Sequence, residues 1–424
     1  MRPLSGMRCP RGILCLSALM AAMALMASAA QAGQNRIYYF KAPGAGGISG
    51  TCDTSGALNR AMKTARKPAV IYLPAGIYHV AETIEIPSGV TITGCGSKTV
   101  LIMARGFRGR RFITNLNHEK TDRDIAIRSL TIEAGADRPP GHGMSQGHGM
   151  SPGLLRFEDI DGLTLENLRI RADSRLYAVD LAGCVQNARI KNCLISNGGT
   201  GGCVMARNGG TCPAGHLKIT GNKFSSGGHP MSGDSHYPSG PADEAVAVFG
   251  WVGRMRDVVI SGNRVTARGS FGITAYGSGK PGGTGRLEDA VIRDNAVTGG
   301  KNGGIAIMDG ASSVKVSGNR VVSAKDGIFI DRGGRGLLRP RDVRVLDNSI
   351  TGSGRYGIFA AGRGVKLSGN RIRGCGAAGI FAAVGTLIGR NRISGCRPPV
   401  FIAVPDGNGG KAAGKDGRPV RKSP

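Results

Sequence analysis

The chain has 424 residues, 71 of them Gly and 20 aromatic, with 56 Lys and Arg against 28 Asp and Glu. Glycine at more than twice its usual share of about 7% lacks the every-third spacing of collagen, and 40% hydrophobic content excludes a chain disordered throughout. The formal charge of +28 favours polyanionic partners: acidic polysaccharide, a membrane surface or nucleic acid.

In chain order, Arg2, Arg8 and Arg11 precede an apolar run from Ile13 to Met26, and Ala30-Gln31-Ala32 follows. This is the pattern of a secretory signal over residues 1–32, cleaved before Gly33. The run is too short to span a bilayer as a helix. The expectation is an exported, periplasmic or extracellular protein with no membrane span, for which nucleic acid is the weakest of the three partners. Removing the signal takes away three Arg and no acid, leaving +25. It also removes Cys9 and Cys15. Eight Cys remain, an even number that an oxidising compartment can pair.

Residues 33–47 read as a lead-in and 48–403 as one repetitive domain. Asp53-Thr-Ser-Gly-Ala57-Leu-Asn-Arg-Ala61-Met-Lys-Thr-Ala65 predicts a helix with an Asp cap. Ile71-Tyr-Leu-Pro74-Ala-Gly76-Ile-Tyr78 and Ile86-Pro-Ser-Gly89-Val-Thr-Ile-Thr-Gly94 follow as strands. Then one frame recurs: an apolar residue, Asn three later, and an apolar residue two after that. It holds at Asn222, Asn263, Asn295, Asn319, Asn348, Asn370 and Asn391; Leu130, Leu168 and Cys193 stand at the Asn position in three earlier copies. The shortest steps, Asn348 to Asn370 and Asn370 to Asn391, leave no room for helices. Between Asn positions lies a second kind of strand that opens on Gly, as in Gly304-Ile-Ala-Ile-Met308 and Gly327-Ile-Phe-Ile-Asp331. Alternation puts Ile305 and Ile307, or Ile328 and Ile330, on one face. About ten or more coils of roughly three short strands result, stacked in parallel around a continuous apolar interior. Asn suits the turn because it tolerates left-handed backbone and its amide both donates and accepts. Residues 404–424, rich in Gly and Lys, read as a disordered basic tail.

This pattern resembles the right-handed parallel β-helix proteins of the pectate lyase-like superfamily, over roughly residues 48–403. The resemblance implies that the helix plugs the open amino end, an edge in need of cover. It also implies that substrate lies along the strand that opens on Gly, between loops that precede and follow it. The fold hosts lyases, hydrolases, epimerases and non-enzymes, so it does not fix a reaction.

Alternation registers an outward column on those strands containing Arg156, Glu158, Asp180, Arg207, Tyr276, Asp331 and the apolar Phe329, Phe359 and Phe381. The two largest insertions, Glu133 to Gly153 and Ser225 to Asp243, both precede this strand and should wall one groove. The second carries His229, His236 and Tyr237. A uronate lyase needs a cation or amide on the carboxylate, a base for the α-proton and an acid for the leaving oxygen. Arg207, His236, Tyr237 and Tyr276 are the catalytic candidates, and Arg156, Glu158, Asp180, His229 and Asp331 the substrate-binding ones. Gly-His-Gly at 141–143 and 147–149 resembles one motif of polygalacturonases, but the paired Asp motifs those enzymes also need are missing. Asp180, Asp309 and Asp331 are too scattered for a calcium cage, and no cofactor is predicted.

Two functions follow from these residues: a lyase or epimerase of an acidic, uronate-containing polysaccharide, or a non-catalytic polysaccharide-binding or envelope protein. A structural repeat or adhesin is a third. A monomer is expected. Cys375 and Cys396 are 21 apart, each five after its Asn, and should be neighbours in adjacent coils within disulfide reach. Cys52 with Cys95, and Cys203 with Cys212, are further candidate pairs.

Overall fold

The computed structural model describes residues 36–40, 53–135, 154–174, 177–227, 244–277, 285–323, 325–332 and 338–403. Within them every strand pairing between named strands is parallel, and the strands form one sheet of 24 and one of 12. Each typical coil contributes three strands. In one coil these are Lys315–Ser317 and Arg320–Val322, which join the long sheet, and Asp326–Asp331, which joins the twelve-stranded one. The chain is a parallel β-helix, as the repeat predicts.

The interior is built by the apolar positions of the frame. Ile273, Ile305, Ile328, Ile358 and Ile380 are direct partners on successive strands of the twelve-stranded sheet, and all are fully buried. Each such side chain contributes about 1.5–3 kcal/mol relative to exposure.

The expected capping helix is α1, Ser55–Thr64. Leu58 and Met62, one helical turn apart, are fully buried and close the amino end of the interior. The cap differs in detail from the expectation. Thr54 stands at the N-cap without a side-chain bond. Asp53, one residue earlier, accepts from the Ser55 backbone N–H at 2.9 Å and from the Ala81 N–H at 3.0 Å. It thereby ties the helix start to the first coils.

The Asn column forms a continuous ladder. The backbone N–H and Nδ2 of Asn222 both donate to Oδ1 of Asn263, at 2.9 and 3.0 Å. The same pair of bonds links each Asn to the next, as far as Asn370 to Asn391. Asn222 to Asn370 are all buried. Leu130, Leu168 and Cys193 are buried too, and the Cys193 N–H donates to Oδ1 of Asn222 at 2.8 Å. One reading is corrected. The left-handed residue is the one before Asn: Gly221, Gly262, Gly318 and Gly369 have φ of 65–72°, and Asp294 and Asp347 have 56–57°. Asn is there for its inward amide, and the preceding residue makes the turn.

The cysteines pair differently from the expectation. Cys184 and Cys212 form a disulfide, with Cα atoms 5.6 Å apart. Cys203 is free and buried, so the Cys203–Cys212 pair is not formed. Cys95 is free and in contact with the Tyr72 hydroxyl at 2.9 Å, while Cys52 lies outside the described residues. Cys375 and Cys396 are neighbours on adjacent coils, two residues beyond the Arg373–Ser394 pairing, and are not joined.

Candidate functional site

Register on the twelve-stranded sheet assembles the outward residues. Leu155–Glu158, Val179–Ala182 and Val204–Arg207 are neighbouring strands. Arg156 is the direct partner of Asp180, and Glu158 is in one column with Ala182 and Arg207. The outward side chains close into a charge cluster. Arg156 Nη1 donates to Asp180 Oδ2 at 3.2 Å, and its Nη2 donates to both oxygens of Glu158 at 2.9 Å. Arg207 reaches the same aspartate with Nε at 3.3 Å and Nη2 at 3.2 Å. Arg111 adds a third guanidinium, 4.0 Å from Glu158.

Asp180 is thus held between two guanidiniums with its side chain wholly buried, and each of those arginines is only 12% exposed. The electrostatics follow from that packing. Burial alone would raise the Glu158 carboxyl, but the bond and charge of Arg156, and then the charge of Arg111, hold it below the usual carboxylate range. Burial, followed by the charge of Arg156, pushes the Arg111 guanidinium down. For Arg156 burial pulls the same way, and Asp180 and Glu158 overcome it. Three guanidiniums meet the carboxylates of Asp180 and Glu158 here, and the charge of Asp159 also acts on Arg156. Asp180 is already occupied by guanidinium groups, so it does not present a free carboxylate to a cation.

Tyr276 belongs to a different group. Its hydroxyl donates to Glu244 Oε1 at 2.5 Å, and Tyr177 donates to Oε2 at 2.9 Å. All three are buried. The Tyr276 ring stacks on Phe249, centroids 4.2 Å apart. Gly202 lies in the column between Tyr177 and Glu244, and a Cβ there would run into the Tyr177 ring and the Glu244 carbonyl. Arg207 and Tyr276 share a column two strand steps apart, about 10 Å.

The middle of the outward face is not an open groove. Met205, Ala247, Phe249, Ala306 and Met308 are buried in one apolar cluster with Tyr177, Phe271 and Tyr276. This cluster separates the charged group from Asp331, which lies 3.9 Å from Arg339 and whose carboxyl burial pushes up. Beyond it Phe329, Phe359, Phe381 and Phe401 stack at 4.8–5.3 Å. Of the predicted residues, then, Arg156, Glu158, Asp180 and Arg207 converge, while Tyr276 and Asp331 stand apart. His229, His236 and Tyr237 lie outside the described residues.

Two residues of the site are not singled out by the sequence. Arg111 precedes strand Ile113–Asn115, before the repeat frame becomes recognisable, so alternation does not register it. Glu244 adjoins the second insertion, but nothing in its spacing marks it as the shared partner of two tyrosines 67 and 32 residues away.

Among the described residues no helix is long and apolar enough to cross a membrane. Residues 44–134 match the family model described as rhamnogalacturonase A/epimerase, pectate lyase-like, and residues 145–339 match that of the right-handed beta helix region. No curated protein matches the chain. Several solved structures share the fold. The A-module of mannuronan C-5 epimerase AlgE4 of Azotobacter vinelandii is 16% identical with a TM-score of 0.57, covering 87% of this chain and 98% of that one. The Streptococcus pneumoniae surface protein and adhesin PfbA is 13% identical with a TM-score of 0.55, covering 84% and 97%. The Dettilon tailspike protein is 16% identical with a TM-score of 0.53, covering 87% and 68%. With its parallel coils, its helical plug and these two adjoining family matches, the chain is a right-handed parallel β-helix protein of the pectate lyase-like superfamily.

Proposed function

We propose that the protein is exported and acts on an acidic, uronate-containing polysaccharide as a lyase or epimerase, on the outward face of the twelve-stranded sheet. The observation that carries this reading is the gathering of Arg111, Arg156 and Arg207 at one place on this face, around Asp180 and Glu158. Arg111, a quarter exposed and held only by a 4.0 Å contact to Glu158, offers a uronate carboxylate a partner. Neutralising that carboxylate acidifies the neighbouring C5 proton, a step that lyases and epimerases share.

Tyr276 is the candidate proton donor, its hydroxyl bonded to Glu244 and its ring stacked on Phe249, two strand steps from Arg207. Glu244 also follows directly on the insertion that carries His236 and Tyr237, the candidates for the base. Elimination of the 4-oxygen gives a lyase; reprotonation from the opposite face gives an epimerase. The A-module relative is named as a mannuronan C-5 epimerase, which agrees with the substrate class.

A second reading, polysaccharide binding without catalysis, is favoured by one fact: Arg156 and Arg207 are already engaged by the protein's own carboxylates. Incubating the mature protein with alginate and polygalacturonate separates the two. Absorbance of an unsaturated product marks a lyase, and solvent deuterium at C5 marks an epimerase. Neither signal on any uronate polymer, with binding retained, would leave the non-catalytic reading.

A further inference from the structure

Charge on the long sheet is arranged differently from that on the twelve-stranded one. Residues 315–397 carry 16 Lys and Arg against four Asp. Two of those acids, Asp326 and Asp331, face Arg355 and Arg339 on the twelve-stranded sheet. The other two, Asp342 and Asp347, sit at left-handed positions in the turns of the long sheet.

Strand register turns the remaining cations into columns. Lys315, Arg344 and Lys366 are direct partners on three successive coils. Arg320, Arg371 and Arg392 share a second column, with Ser349 between the first two. One column stands four residues before the Asn and the other directly after it, so the two flank the Asn corner. All six side chains are exposed, and none forms an ion pair among the described residues. The contrast with Arg156 and Arg207, nearly buried on their own acids, is complete.

We propose that this basic ridge is a docking surface for an anionic polysaccharide lying parallel to the solenoid axis, away from the site that would carry out chemistry. The choice of polymer rests on the function proposed above. Like charges one strand step apart, about 4.8 Å, repel well inside the Debye length of about 10 Å at 0.1 M salt. A bound polyanion relieves that repulsion. The unbroken line of Lys315, Arg344 and Lys366, with the interrupted second column beside it, matches a linear polymer with one carboxylate per sugar better than it matches a fluid lipid surface. The ridge would hold a long chain while another stretch of it enters the charged site.

The test is calorimetric titration of the mature chain with alginate, with dextran as neutral control and vesicles of anionic phospholipid as the competing surface. The ridge variant is R320Q/R371Q/R392Q. The control, R60Q/R66Q/K67Q, removes the same charge at the capping end. Both sets of side chains are exposed, and melting curves check that both variants fold. At 0.1 M salt the ridge variant should lose about tenfold or more in alginate affinity and the control less than about threefold, with a shallower salt dependence for the ridge variant alone. Equal losses in the two variants would overturn the proposal, as would ridge-dependent binding of vesicles without ridge-dependent binding of alginate. Turnover of short oligouronates should be unchanged in the ridge variant. If no turnover is found at all while ridge-dependent alginate binding persists, the enzymatic reading fails and the docking surface stands.

Discussion

Asp180 accepts a bond from Arg156 Nη1 at 3.2 Å on one side and from Arg207 Nη2 at 3.2 Å on the other, with no part of its side chain in contact with water. The aspartate sets the positions of both arginines. Without it, two guanidiniums would face each other in a nearly dry site.

Asp180→Ala should therefore destabilise the protein by about 3–5 kcal/mol, the range for removing one partner of a buried ion pair. Adding Arg207→Met should recover part of that loss by removing one stranded charge. Urea unfolding of the two variants checks this. An unchanged midpoint for Asp180→Ala would show that both guanidiniums find solvent instead.

Asn319→Leu should cost about 1–3 kcal/mol. Leucine fits the column, as Leu130 and Leu168 demonstrate, so volume is a minor matter. The cost arises because the N–H and Nδ2 of Asn295 lose their acceptor, and Oδ1 of Asn348 keeps the backbone N–H of residue 319 but loses its Nδ2 donor. The same change at Asn391, where the ladder ends, strands no further rung beyond it; it removes the bonds from Asn370 and the Nδ2 bonds to the Leu367 and Gly389 carbonyls at a half-buried site and should cost less. Thermal melts of the pair decide whether rung position matters.

Stability should fall in acid through Asp122 and Glu158. Burial pushes the Asp122 carboxyl up, but bonds from Ser88, Asn117 and Asn115 overcome it and hold the group below its ordinary value. Glu158 is depressed likewise. A carboxyl depressed by folding contributes its full share above the unfolded value, about 4, and loses it as pH drops through the lower folded value. The melting temperature should thus decline below about pH 4, and less steeply in Asp122→Asn. Parallel declines in both proteins would remove Asp122 from the account.

Cys375 should resist alkylation at neutral pH. Burial, and then contact with Cys396, pushes its thiol up to about 12, and the thiolate is the reactive form. A slow oxidant should nevertheless link the two, because they stand at equivalent places on adjacent coils. Mass spectrometry after mild oxidation should find a Cys375–Cys396 peptide, and its absence alongside intact thiols would argue against the contact.

Much of the fold was legible because the repeat constrains it many times over. The Asn frame located the corner, the alternation of Ile328, Phe329 and Ile330 located inside and outside, and the run from Asp53 to Ala65 located the helix. The turn residue was misjudged because Asn and the Gly or Asp before it are adjacent, and both tolerate left-handed backbone. The site was legible only in part. Alternation shows that Arg156, Asp180 and Arg207 point outward, but not that the aspartate occupies both arginines, since diagonal contacts depend on rotamers. Nor can a pattern of alternation report that Met205 and Met308, equally outward, bury themselves. Cys184 and Cys212 fall on successive coils whose spacing is altered by inserted residues, which hid their pairing.

The Asn ladder also bears on how such a chain can change length. Each rung makes the same two bonds to the next, so the joint between coils is indifferent to which coil follows. Loss or duplication of a segment running from one Asn to the next, such as the 22 residues that separate Asn348 and Asn370, leaves every remaining joint intact. Loss of half a coil would bring an apolar side chain against an unpaired amide. The lineage of such a protein is therefore free to vary in whole turns, growing or shrinking like a stack of identical coins, while fractional steps are closed to it.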